Sequence, residues 1–288
     1  MQNAQLISVG FKRSRHITKR YARTFYFASL FLGKAKRLAC YSIYAICRSS
    51  DESVDSVKPE EQLKSLNQVK QNIDVAYTNK NLDNAILAAF NDTVNRYKIP
   101  KLYFDELLSG MQMDIHKNRY KDFSELCDYC WHVAGVIGLI MLKVFGSKDK
   151  EGEKYASDLG IAMQLTNIIR DIKEDFSRGR IYLPLDELQR FKVSEADIAG
   201  ENCNENFKQL LRFQIARARE YYRESGKGIS VISPRRSRFV VLTMKEVYAS
   251  ILDEVEKQDY NVFLKRDCVN GPKKAGLLLK IIAKGKHL

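Results

Sequence analysis

Apolar positions recur along the chain at intervals of three and four residues, the spacing of one face of an α-helix. Alternating apolar and polar runs joined by Asn-Gly or Asp-Gly turns, the mark of β-hairpins, are absent. The periodicity predicts helices over residues 13–31, 35–56, 60–78, 82–97, 101–117, 123–146, 150–176, 204–226, 236–258 and 273–284. Five prolines, at 59, 100, 184, 234 and 272, fall where such helices would start or stop, because proline lacks the amide that a helix interior needs. No repeat, low-complexity tract or linker divides the chain. One all-α domain over residues 1–288 is the expected organisation.

Within this pattern residues 161–183, IAMQLTNIIRDIKEDFSRGRIYL, stand out. Asn167, Asp171 and Asp175 are four residues apart, so on a helix each turns only about 40° from the last and all three line one face. Hard oxygen donors beside Arg170, Arg178 and Arg180 suit Mg²⁺ and a phosphorylated ligand better than a soft metal. A solvated acidic face with ordinary ion pairs has the same spacing. The flanking Ile161, Leu165, Ile168, Ile169 and Ile172 argue that part of the helix is core.

A second stripe lies upstream. Tyr41, Tyr44, Arg48, Asp51 and Asp55 follow a 3-4-3-4 spacing, which sets two aromatics, a cation and two carboxylates on one side of a helix. Alone, Asp51 and Asp55 could mark a solvated helix end with Arg48 as partner. Two D-x-x-x-D helices facing one cavity would instead gather four carboxylates, an arrangement that metal ions make electrostatically tolerable.

Charge narrows the partners. The chain of 288 residues carries a net charge of +13, which favours anionic partners: nucleic acid, anionic lipid or a polyphosphate. Zinc-finger and RNP-type motifs are missing, so nucleic acid is not expected. Of six cysteines, only Cys127 and Cys130 are close. They lie in an apolar helix with no further pair to complete a zinc site, and read as core residues of a reducing, cytoplasmic compartment. Residues 1–20 have no apolar stretch typical of a signal peptide, and the apolar run Val133–Leu142 is too short to span a bilayer. The tail from Pro272 to Leu288 mixes an apolar cluster with five lysines. It reads either as an amphipathic helix on anionic lipid or as a helix packed on the body with a solvated lysine face.

Four blocks, YARTFYFAS, IYAICRSSDESVD, YCWHVAGVIG and QLTNIIRDIKEDFSRGRIYLPLDEL, taken in this order, resemble the squalene/phytoene synthase family of head-to-head prenyl transferases, from about residue 15 to residue 268. The resemblance implies an isoprenoid-synthase-type helical bundle around a central cavity. It implies that Asp51 and Asp55 form a first aspartate motif and Asn167, Asp171 and Asp175 a second, together binding Mg²⁺ (Mn²⁺ as an alternative) and the diphosphates of two prenyl diphosphate substrates. Arg48 and Arg170 would hold diphosphate oxygens, with Thr24, Tyr44 and Gln164 in the same pocket; Tyr129 would lie beside the reacting carbons. Arg180 and Tyr182 would belong to a closing segment, Tyr248 and Arg266 match less sharply, and Asp114 occupies a recurring position without an assigned role. Trp131 and His132 depart from the smaller or tyrosine side chains of relatives, which bears on the cavity wall; His132 itself reads as structural.

What the resemblance implies chemically is condensation of two geranylgeranyl diphosphates to phytoene through a cyclopropylcarbinyl diphosphate. The alternative is condensation of two farnesyl diphosphates to presqualene diphosphate, squalene or dehydrosqualene, with NADPH needed only for the reductive squalene reaction. The DESVD and RGRIYLP forms favour the first. A non-catalytic partner that keeps the fold, or a basic lipid-binding protein, would not need both aspartate motifs.

Overall fold

The computed structural model describes residues 2–78, 82–147, 149, 151–264 and 276. Among these there is no strand. The only β-type contacts are two isolated bridges, Arg119 with Ile181 and Ser147 with Ile232. The chain runs through α1 (Gln2–Tyr21), α2 (Arg23–Ser29), α3 (Lys34–Asp55), α4 (Pro59–Tyr77), α5 (Ala85–Tyr97), α6 (Lys101–His116) and α7 (Phe123–Cys130). A wide turn at Trp131–Gly135 leads into α8 (Val136–Phe145), followed by α9 (Gly152–Arg170), α10 (Ile172–Ser177), α11 (Leu185–Arg190), α12 (Glu195–Ala199), α13 (Glu205–Lys227) and α14 (Arg235–Lys257).

The helix starts obey local chemistry. Pro59 opens α4, and Pro100, Pro184 and Pro234 precede α6, α11 and α14. Side chains of Asn84, Asp122 and Asn204 accept the free amides at the starts of α5, α7 and α13, and Ser194 with Asp197 forms a reciprocal cap on α12. Three expectations need correction. The first helix begins at Gln2 and breaks at Ala22, whose φ of −129° and ψ of 59° are not helical. The expected helix over 150–176 is two helices, because Asp171 leaves helical geometry at φ −103° and ψ 16°. The short α11 and α12 were not anticipated, having too few turns to show a period. The expected helix 273–284, and with it the basic tail, lies outside the described residues apart from Gly276.

One large cluster of buried side chains runs from Ala28 to Phe263 and joins almost every helix. Around it, α9 packs against α13, α8 and α14, while α1 packs against α3 and α5. The VAGVIG block explains how near α9 comes to the segment before it. A Cβ on Gly138 would sit 2.0 Å from the Ala156 carbonyl oxygen, and one on Gly160 would sit 2.2 Å from that of Ala134. Only hydrogen fits there, so α8 and α9 touch backbone to backbone. Together α7, the wide turn and α8 form a continuous 23-residue helix, Phe123–Phe145, long and apolar enough by composition to cross a membrane. Half of its apolar window is buried in the protein. Val133, Ile137, Met141, Leu142 and Phe145 line a central cavity.

Candidate active site

That cavity has a volume of about 530 Å³, within the usual span for small-molecule sites of roughly 300–1,000 Å³. Its two ends differ. One is lined by Asp51, Asp55, Asp114, Asp171 and Asp175 with Arg170, Arg178 and Arg180. The other is walled by the apolar side chains of α8, Leu159 and Met163 of α9, and Val241 and Met244 of α14.

The first motif reaches the charged end because α3 buries an apolar face that includes Ile43 and Ile46, and turns Tyr44, Asp51 and Asp55 to the cavity, beside Cys47 and Val54. The expected stripe does not stay together. Its 3-4-3-4 spacing spreads over about 80° of the helix, and Tyr41 lies at the far edge. Tyr41 is fully buried, and its hydroxyl accepts from Ser29 at 2.9 Å. Arg48 is outside the wall: its guanidinium donates to Glu52 at 2.9 Å and lies 4.6 Å from the Tyr21 ring centre. Thr24 is also outside the wall, while its neighbour Phe25 lines it.

The second motif survives the helix break. Asp171 N–H still donates to Asn167 O and Asp175 N–H to Asp171 O, both at 2.8 Å, so the four-residue register continues. Asn167, Asp171 and Asp175 all line the cavity, with Gln164 and Tyr248 beside them. Arg170 forms a two-pronged bond to Asp171, with Nε to Oδ1 at 2.8 Å. Asn167 donates through Nδ2 to Gln164 at 3.2 Å, which leaves its buried Oδ1 without a hydrogen-bond partner.

The segment that follows the second motif reaches across to the first. Gly179, at φ +78°, turns the chain so that Arg178 and Arg180 both reach Asp55, at 3.0 and 2.9 Å. Asp114 on α6, which had no expected role, is an anchor: Tyr182 donates to its Oδ1 at 2.7 Å and Tyr129 to its Oδ2 at 2.9 Å. The Tyr129 and Tyr182 rings stack with centres 5.1 Å apart. Asp114 sits three residues after Met111, and both line the cavity; that spacing on α6 was the available signal. Trp131 and His132 are not among the residues that line the cavity. His132 Nδ1 is 3.2 Å from Glu106, as a structural histidine would be. Arg266 lies outside the described residues.

Electrostatically the charged end is out of balance, with five carboxylates against three guanidiniums. Burial within the wall pushes Asp51 up to about 7; Arg48 opposes this, while Asp55 and Asp114 add to it. Asp175 is pushed up to about 8, by burial first and then by Asp171. Burial also raises Asp114 and holds the Tyr129 phenol well above its usual range, so that phenol is neutral. Hard divalent cations would answer both the crowding of charge and the orphaned Asn167 oxygen, and the donor set fits Mg²⁺. Among the described residues no three His, Cys, Asp or Glu side chains converge on one point. The fit is therefore to ions that take one or two carboxylates each and complete their shells with phosphate oxygens and water, as Mg²⁺ does.

A helical bundle closed on an apolar cavity, acidic on two facing helices, is the architecture of isoprenoid-synthase-type enzymes. A crystal structure of a dehydrosqualene synthase in complex with ligand superposes with a TM-score of 0.92 over 99% of this chain and 100% of that one, at 26% identity. A squalene synthase from Alicyclobacillus acidocaldarius superposes with a TM-score of 0.82 over 88% and 96%, at 25% identity. The chain belongs to the squalene/phytoene synthase family, whose model matches residues 18–272, and is an enzyme of the prenyltransferase type. Among its relatives, a phytoene synthase from Arthrospira platensis is 37% identical over 90% of this chain and 88% of its own length. Phytoene synthase 2, chloroplastic, from Solanum lycopersicum is 37% identical over 94% of this chain and 89% of its own.

Proposed function

We propose that the protein joins two geranylgeranyl diphosphates head to head, through a cyclopropylcarbinyl diphosphate, to give phytoene in a Mg²⁺-dependent reaction. The observation that carries this reading is the division of one cavity into a charged end and an apolar end. Diphosphate departure creates a carbocation, so the leaving group needs fixed positive charge and the cation needs shelter from water. Asp51 and Asp55 from α3 and Asn167, Asp171 and Asp175 from α9–α10 would hold the Mg²⁺, with Mn²⁺ as a substitute. Bound there, the metal supplies Lewis-acid stabilisation of the departing diphosphate.

The chain's own groups do the rest. Arg170 and Arg180 are placed to grip diphosphate oxygens once these compete for their present partners Asp171 and Asp55. Arg178 shares Asp55 and closes the same edge. The stacked faces of Tyr129 and Tyr182, fixed by Asp114, stabilise passing positive charge. Their phenols are poor bases, since burial favours the neutral form, so the released diphosphate is the better acceptor for the proton lost in forming phytoene. Apolar side chains from α8, α9 and α14 exclude water from the prenyl tails.

The close superposition on a dehydrosqualene synthase favours a second reading, the same mechanism on farnesyl diphosphate. Incubating the purified chain and Mg²⁺ with either diphosphate, with and without NADPH, and weighing the extracted hydrocarbon by mass spectrometry separates them. A C40 product from geranylgeranyl diphosphate is expected. A C30 hydrocarbon or presqualene diphosphate would keep the mechanism and change the substrate. No Mg²⁺-dependent product from either would overturn both.

A further inference from the structure

We infer that the outer face of α2 and the turn after it form a docking surface for an anionic lipid bilayer. This goes beyond the proposed reaction, and its test does not depend on turnover. Phe27, Leu30 and Phe31 stand at i, i+3 and i+4, and each remains about two-fifths exposed, at 45%, 42% and 39%. They form a contiguous patch: the Phe27 and Phe31 ring centres are 6.1 Å apart, and Phe31 continues onto Phe239 of α14 at 4.9 Å. Scattered exposed apolar residues are ordinary, whereas a joined aromatic and aliphatic patch ringed by charge marks an interaction site.

The charges placed beside it are basic. Arg23 stands one turn before Phe27, Lys34 follows the patch, and the Arg37 guanidinium donates to the Leu30 carbonyl at 3.3 Å. On α14, exposed Arg235 and Arg236 precede Phe239 by one turn. Charge along the chain is concentrated to match. Residues 1–50 contain ten Lys and Arg and no Asp or Glu, so they account for +10 of the net +13. An apolar centre with basic residues at its edge suits the boundary between acyl chains and acidic headgroups. Nucleic acid would use the rim but has no need of Leu30 and its aromatic neighbours at the centre. On its opposite side α2 presents Phe25 to the cavity, next to Ala22 at the preceding break, so a single seven-residue helix separates the cavity from this surface.

Co-sedimentation of the full chain with phosphatidylglycerol-containing vesicles, and with pure phosphatidylcholine vesicles, tests the inference. Binding to the anionic vesicles alone is expected. Phe27→Ser with Phe31→Ser should abolish it, and each of Arg23→Gln and Lys34→Gln should weaken it about fivefold. In a Leu30→Trp variant, brominated phosphatidylglycerol should quench the new fluorescence. Unquenched fluorescence with vesicles bound would overturn the inference. So would binding that survives the Phe27 and Phe31 changes but is lost in Lys273→Gln with Lys274→Gln, which would give the contact to the tail. A wild-type dimer that the Phe27 and Phe31 changes dissociate would overturn it as well, making the patch an interface between copies.

Discussion

At its charged end the cavity is lined by eight ionisable side chains drawn from α3, α6, α9, α10 and the segment around Gly179; at its other end the wall is close-packed hydrocarbon from α8, α9 and α14. The two regions answer to different pressures. The apolar end stabilises the fold, with glycines that let α8 and α9 touch and core residues such as Ile140 and Val144 fully buried beside the wall. The charged end works against folding until a ligand arrives: Asp51 and Asp175 sit far from their ordinary proton affinities, and Asn167 keeps an unpaired oxygen. Stability is concentrated in one half of the cavity and chemistry in the other.

Substitutions should separate the halves. Asp51→Asn with Asp175→Asn is expected to lower turnover by about 10³-fold or more, while leaving the melting temperature of the metal-free protein unchanged or higher. A large fall in both would break the division. Gly138→Val should do the opposite, with a loss of about 1–3 kcal/mol in denaturant unfolding, since its side chain would meet the Ala156 carbonyl. Met141→Phe, which takes space from the apolar end, is expected to shift turnover about tenfold toward farnesyl over geranylgeranyl diphosphate, with a stability change under about 1.5 kcal/mol. An unchanged preference would remove Met141 from the chain-length wall.

The smallest effect is one of pH. Carboxyls raised to about 7 and about 8 keep their protons in the fold longer than in the unfolded chain. The folded state therefore binds more protons between about pH 4 and 8, and stability falls as pH rises through that window. In EDTA the melting temperature should drop by at least roughly 2–4 °C, the equivalent of 1 kcal/mol for a chain of this size. The slope should flatten in Asp51→Asn with Asp175→Asn. Equal slopes would mean that other groups carry the pH dependence.

Much of this was legible from side-chain identity and spacing. The long helices follow their apolar periods, both aspartate motifs reach one cavity, and Tyr129, Tyr182, Gln164, Arg170 and Tyr248 line it with them. What spacing did not reveal depends on tertiary contacts. Arg48 is on the correct helix but is drawn aside by Glu52 and the Tyr21 ring. The break at Asp171 leaves no mark in the pattern, because its amide hydrogen bonds preserve the register. The wide turn at Trp131–Gly135, closed by the Val136 amide on the Trp131 carbonyl, lies within an uninterrupted apolar run and shifts which residues face inward. Asp114 acquires its place only when two distant tyrosines arrive from separate segments.

The most direct test of the charged end is calorimetric binding of an unreactive prenyl thiodiphosphate to the whole protein, in Mg²⁺ and in EDTA. Tight binding in Mg²⁺, lost in EDTA and lost again in Asp51→Asn with Asp175→Asn, is the expected result. Equal affinity with and without the metal, or in the variant, would contradict the assignment of the two aspartate motifs to metal-bridged diphosphate.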